Sequence, residues 1–214
     1  MQRIIYLHGF ASSPNSRKAQ FFRDKFAEAG IEVTIPALDG GDFEHLTSSG
    51  QLAILEDTIQ NLGPAALPLT LMGSSMGGYL SALYAARYPD RINRLILMAP
   101  AFGFAPRWQQ ELGPEAIEQW RATDALNVFH YGLMSETNLS YRLMEDALTY
   151  EDYPNATQPA IIFHGTEDEV VPPAFAKEFA RLHPGTDLHI LESDHELIDS
   201  LDYICTHSLK FISS

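Results

Sequence analysis

The sequence predicts a doubly wound α/β fold on a mainly parallel sheet of about six strands. Three observations carry this. Short apolar runs recur along the chain, most of them continuous rather than alternating, as strands covered on both faces require. Helical patterns separate these runs, so strand and helix alternate. One interval, about 101–157, is far longer than the single crossover helix it replaces and is rich in aromatic residues.

The strand runs fall at 4–7, 31–35, 69–72, 95–98, 160–163 and 188–191. Over 16–29, Ala19, Phe22, Phe26 and Ala29 recur at helical spacing, with Gly30 as a stop signal. A second helix is expected over 46–62, ended by Gly63-Pro64, and a third over 76–88, ended before Pro89. The stretch 173–182 starts with a proline in its first turn and stops near Pro184-Gly185. A last helix is expected over 196–212. The interval 101–157 holds Phe102, Phe104, Trp108, Trp120, Phe129, Tyr131 and Tyr141. A plain surface loop would not carry so many rings, so two or three helices are expected there, forming a lid over the C-terminal edge of the sheet. With no repeat or linker, residues 1–214 read as one domain with a lid insertion.

The chain has 214 residues, a formal net charge of -14 and a pI near 4.8. Such acidity repels phosphate backbones and anionic membrane faces, which argues against nucleic acid as a partner. Cys205 is the single cysteine, so no intrachain disulfide forms. The first apolar run is too short for a signal peptide, and no run approaches the ~20 residues that span a bilayer. A soluble, cytoplasmic protein without membrane insertion is expected; its oligomeric state is not legible.

Gly73-Ser74-Ser75-Met76-Gly77 follows a strand and opens a helix. In that context the G-x-S-x-G pattern makes Ser75 the candidate nucleophile on a sharp, strained turn, with glycines where side chains would collide. The Met76 N–H then lies at a helix N-terminus and can stabilise a developing oxyanion. Ser74 lacks the symmetric glycine spacing and should point away.

Two loops supply partners. Asp168, after the fifth strand, is the candidate triad acid; its neighbours Glu167 and Glu169 point elsewhere on an extended loop. Of eight histidines, His195 is placed on a loop at the end of the final strand, where imidazole suits a general base. Asp194 could compete as the acid only by folding back. After the first strand, Gly9 allows a tight turn that brings the Phe10 amide over the serine as second oxyanion donor. His8 either orients this loop by hydrogen bonding or acts as a fourth catalytic group, and it is a candidate for substrate binding. Phe102, Phe104 and Trp108 are further candidates for substrate binding, as apolar rings of the lid. No H-E-x-x-H, paired-cysteine, G-x-G-x-x-G or P-loop pattern occurs, so neither metal nor cofactor is expected.

The order Ser75, Asp168, His195, with His8-Gly9 upstream, resembles the α/β-hydrolase superfamily. The opening Tyr6-Leu7-His8-Gly9-Phe10-Ala11-Ser12-Ser13-Pro14, the Gly73–Tyr79 segment and Asp194-His195-Glu196 more narrowly resemble small bacterial single-domain (YqiA-like) esterases. The resemblance implies an α/β-hydrolase fold that starts at the family's third strand. It also implies a serine hydrolase: a carboxylesterase acting on a small-molecule ester or thioester through an acyl-enzyme. Thioester hydrolysis, acyl transfer to an alcohol and C–C hydrolysis use the same triad and stay open, as does a non-catalytic ligand-binding scaffold. The substrate and its acyl length are not legible.

Overall fold

The computed structural model describes residues 3–63 and 68–213; Pro64, expected to end the second helix, lies outside them. The main sheet has six strands: β1 (Arg3–Leu7), β2 (Glu32–Thr34), β3 (Leu69–Ser74), β4 (Ile92–Met98), β7 (Ala160–Gly165) and β8 (Thr186–Leu191). Their spatial order is β2-β1-β3-β4-β7-β8, and every pairing is parallel. β3 and β7 are buried at every residue, which is why their sequences run apolar without alternation.

The two faces of the sheet carry separate cores. Ile5, Leu7, Leu71, Leu95, Leu97 and Ile162 face one way, beneath α2 (Ser48–Leu62), α3 (Met76–Arg87) and α6 (Pro173–Leu182). Their neighbours Ile4, Tyr6, Met72, Ile96, Ile161 and Phe163 face the other way, onto α1 (Arg17–Glu28) and α7 (Leu201–Ser213). Side chains alternate across a strand, so each strand feeds both layers. The caps follow from sequence: Ser16 accepts from the Ala19 N–H and Thr47 from the Gly50 N–H. The chain leaves β1 for the β2 edge and then returns to the other side of β1 with β3. This reversal opens a crevice at the C-terminal ends of β1 and β3, where open α/β sheets take ligands.

The lid differs from the expected purely helical insertion. It contains α4 (Phe104–Thr123), broken at Gly113 where φ is 78° just before Pro114, and the short α5 (Arg142–Ala147). Between them lies an antiparallel hairpin of β5 (Leu126–His130) and β6 (Ser135–Leu139). Trp120 holds the pieces together: its indole N–H donates to Leu139 O at 2.7 Å, and its ring meets Tyr141 edge-on. At the other end of the chain, a short 3-10 turn precedes α7, which therefore starts five residues later than expected, at Leu201. No helix among the described residues is long and apolar enough to cross a membrane.

Candidate active site

Ser75 joins β3 to α3 with φ 53° and ψ -118°, a backbone conformation that costs a non-glycine residue about 1–3 kcal/mol. The surroundings hold it there. Its N–H donates to Met98 O at 2.8 Å, and its carbonyl accepts from Ala101 N and Tyr79 N. The flanking glycines have steric reasons. A Cβ on Gly73 would strike the Gly77 carbonyl, and one on Gly77 would strike the carbonyls of Leu7 and His8. The turn and the β1–α1 loop can therefore lie in contact only if position 77 has no side chain.

The β1–α1 loop is fixed by His8. Its Nδ1 lies 3.0 Å from Gly9 O within the loop, and its Nε2 accepts at 3.3 Å from Leu38 N, on the segment after β2, so both ring nitrogens are occupied. Burial lowers the His8 pKa, ahead of an opposing push from its bond to Gly9 O, which favours the neutral ring these bonds require. Gly9 packs beside Ser75 Cβ. Among the described residues, neither the Phe10 nor the Met76 N–H has a protein acceptor.

Asp168 and His195 meet from two neighbouring strands. His195 Nδ1 donates to Asp168 Oδ2 at 2.8 Å, which leaves Nε2 as the acceptor nitrogen. The other carboxylate oxygen accepts from Val170 N at 3.0 Å and Val171 N at 2.7 Å. A Cβ on Gly165 would hit the Ser193 carbonyl, so this glycine lets the two loops close on each other. Burial alone would raise the Asp168 pKa; hydrogen bonds from His164, His195 and Val171 N outweigh it and hold the carboxyl well below the usual carboxylate range. Asp194 is committed elsewhere, accepting from Glu196 N and Leu197 N within its own turn.

One residue of the site was not singled out from the sequence. His164, fully buried at the end of β7, places Nε2 3.0 Å from Asp168 Oδ2 and 2.7 Å from Val171 O. Both partners are acceptors, so Nε2 carries the proton. The available signal was a lone polar residue closing an otherwise apolar run, Ala160-Ile161-Ile162-Phe163-His164.

Ser75, His195, Phe10 and His8 line one cleft of about 840 Å³, with Ser12, Ser13, Tyr131, Val170 and Ile198 among its other walls. Phe102 and Phe104 are not on it. Phe102 is fully buried and stacks on Phe179 at 4.3 Å, and Phe104 packs against Trp108 within the core. Trp108 supports the cleft from behind, its ring meeting that of Phe10 edge-on at 5.3 Å. The sequence marked these rings as apolar and enclosed, which a place in the lid's interior satisfies as fully as a place on a pocket wall.

Known proteins similar to this chain are hydrolases of the same fold. A thermostable monoacylglycerol lipase from Bacillus sp. (strain H-257) is 26% identical over 235 aligned positions, covering 96% of this chain and 91% of the lipase. A 2-hydroxy-6-oxononadienedioate/2-hydroxy-6-oxononatrienedioate hydrolase from Burkholderia vietnamiensis is 25% identical, over 88% of this chain and 78% of its own. Among solved structures, mouse alpha/beta hydrolase domain-containing protein 10 superposes with a TM-score of 0.81 at 21% identity, over 99% of this chain and 89% of its own. Est1E from Butyrivibrio proteoclasticus, with ferulic acid bound, gives 0.82 at 22% identity, over 100% and 90%. The described family whose profile matches spans residues 3–211. The chain therefore has the α/β-hydrolase fold and belongs to the uncharacterised protein family UPF0227.

Proposed function

We propose that the chain is a serine hydrolase, a carboxylesterase that cleaves small or medium esters through Ser75, His195 and Asp168. The observation that carries this reading is the His195 ring, tethered at Nδ1 to a buried carboxylate and lining the same cleft as the strained serine. Nε2 takes the Ser75 proton as Oγ attacks the ester carbonyl carbon. The carbonyl oxygen becomes an oxyanion held by the Phe10 and Met76 N–H groups, each donor worth about 3–4 kcal/mol in serine enzymes. The imidazolium returns its proton to the leaving alcohol, and the C–O bond breaks. Water then attacks the acyl-serine, giving a proton to Nε2, and collapse releases the acid and restores Ser75. Throughout, Asp168 keeps the ring in one tautomer and offsets the imidazolium charge.

The lipase relative supports an ester substrate, since it matches nearly the full length of both chains. The cleft supports one of modest size, since its walls combine the apolar side chains of Phe10, Val170 and Ile198 with the hydroxyls of Ser12, Ser13 and Tyr131. A cytoplasmic location fits the single cysteine.

Ser75→Ala should retain the native melting temperature, stop reacting with a fluorophosphonate probe and lose turnover of p-nitrophenyl acetate and butyrate. Undiminished turnover in that variant overturns the proposal. A panel of esters and thioesters of graded acyl length, run on the unmodified protein, separates ester from thioester preference.

A further inference from the structure

We infer that Lys18 is a positioning residue that ties the turn bearing Ser75 to the loop bearing His195. This rests on the reading that those two residues react together. Lys18 is the second residue of α1, and its side chain is 8% exposed. Its ammonium donates to Ser74 Oγ at 3.0 Å and stands 3.5 Å from Glu196 Oε2. Each partner is the immediate chain neighbour of a reacting group: Ser74 of Ser75, Glu196 of His195.

Two features separate this arrangement from an ordinary ion pair. β3 and β8 are not neighbours in the sheet; β4 and β7 lie between them. Strand pairing therefore does not directly set the Ser75 turn against the loop that follows β8, and Lys18 bridges the two from a third element. The second feature is burial. A lysine at a helix start can run its stem along the surface and keep its charge in water. Lys18 does not, and a buried ammonium persists only with partners that replace its hydration. Burial pulls its pKa down, and Glu196 beside it pushes back. Glu196 is itself 65% exposed, so Lys18 is the buried end of this pair and Glu196 the end that solvent reaches.

A nucleophile and base held about 1 Å out of register lose much of their advantage. Lys18→Met, which keeps the length of the stem and deletes the charge, should therefore lower kcat on p-nitrophenyl butyrate about tenfold, with KM within about twofold. The rate constant for fluorophosphonate labelling of Ser75 should fall in parallel. The double variant Lys18→Met/Ser74→Ala should be no slower than Lys18→Met alone, since both changes cut one tie. A Lys18→Met protein that is less heat-stable but labels within about twofold of the unmodified rate overturns the inference, because a merely structural role moves stability and not the reaction of the folded enzyme. If Lys18→Met does not fold, Ser74→Ala and Glu196→Gln each remove one end of the tie, and wild-type labelling in both overturns it equally. Ser75→Ala keeps the two failures apart. Turnover surviving in Ser75→Ala defeats the hydrolase reading, whereas a dead Ser75→Ala beside a fully active Lys18→Met defeats only the role of Lys18.

Discussion

At the scale of single residues, the site is made of conformations and partners that stability alone would not select. Ser75 keeps a positive φ that glycine would adopt without strain. Ser75→Gly should accordingly be inactive yet more stable by about 1 kcal/mol, the relief of strain exceeding the added freedom of the unfolded chain. That corresponds to a melting temperature higher by about 2–4 °C in a chain of this size, readable by calorimetry. The Ser75 turn was legible because it is decided locally: glycines at 73 and 77 on either side of a serine, between a strand and a helix, leave few alternatives. His164 was not legible, because its meaning depends on the Asp168 loop folding back over the end of β7. Nor did the sequence disclose that Ser74 would be held by a lysine fifty-six positions away along the chain.

At the scale of elements, strands and helices of the sheet followed their periodicities, and the lid did not. β5 and β6 are five residues each, and their inward positions are occupied by Leu126, Val128 and His130 on one side and by Thr137 and Leu139 on the other. So short and half-polar a pattern does not announce a strand, and the helix-breaking pair Gly113-Pro114 was the only strong punctuation in the region. The hairpin matters because its tip is seated on the β1–α1 loop: Gly132 N donates to Ala11 O at 3.2 Å. A Cβ there would come within 2.9 Å of Ser13 Cβ and 3.0 Å of the His130 ring. Gly132→Val should lift the hairpin from this seat. The expected result is a several-fold higher KM for p-nitrophenyl butyrate with little change in fluorophosphonate labelling, because the cleft wall at Tyr131 shifts while Ser75 and His195 stay in place. Steady-state kinetics on that variant checks it.

For the molecule as a whole, charge sets the conditions under which the fold holds. Glu56, on α2, accepts two bonds from Arg91 and one from the Tyr84 hydroxyl, which join α2 to α3 and its exit turn. Arg91 first, then Tyr84, hold its carboxyl down to about 2. The Asp168 carboxyl is depressed in the same sense. A carboxyl whose pKa is lower in the folded than in the unfolded chain, where it is about 4, contributes stability that is complete above about pH 5 and is lost as pH falls toward the folded value. Urea midpoints should therefore hold level from pH 6 to about pH 5 and drop from there to pH 3, and Glu56→Gln should start lower at pH 6 and fall less steeply. A variant with an unchanged slope would show that Glu56 has no part in the acid sensitivity.

The insertion leaves the sheet after β4 and returns at β7, and these strands are hydrogen-bonded neighbours, with Leu95 paired to Ala160 and Met98 to Phe163. Its two roots are thus pinned side by side, whatever the chain does between them. Residues can be added, removed or refolded in that excursion without shifting the register that carries Ser75, Asp168 and His195. Under the proposed function, such an architecture lets a lineage retune what the cleft admits while inheriting the reaction, so divergence in substrate between kindred chains should be written in this excursion, with Ser75, Asp168 and His195 left as they are.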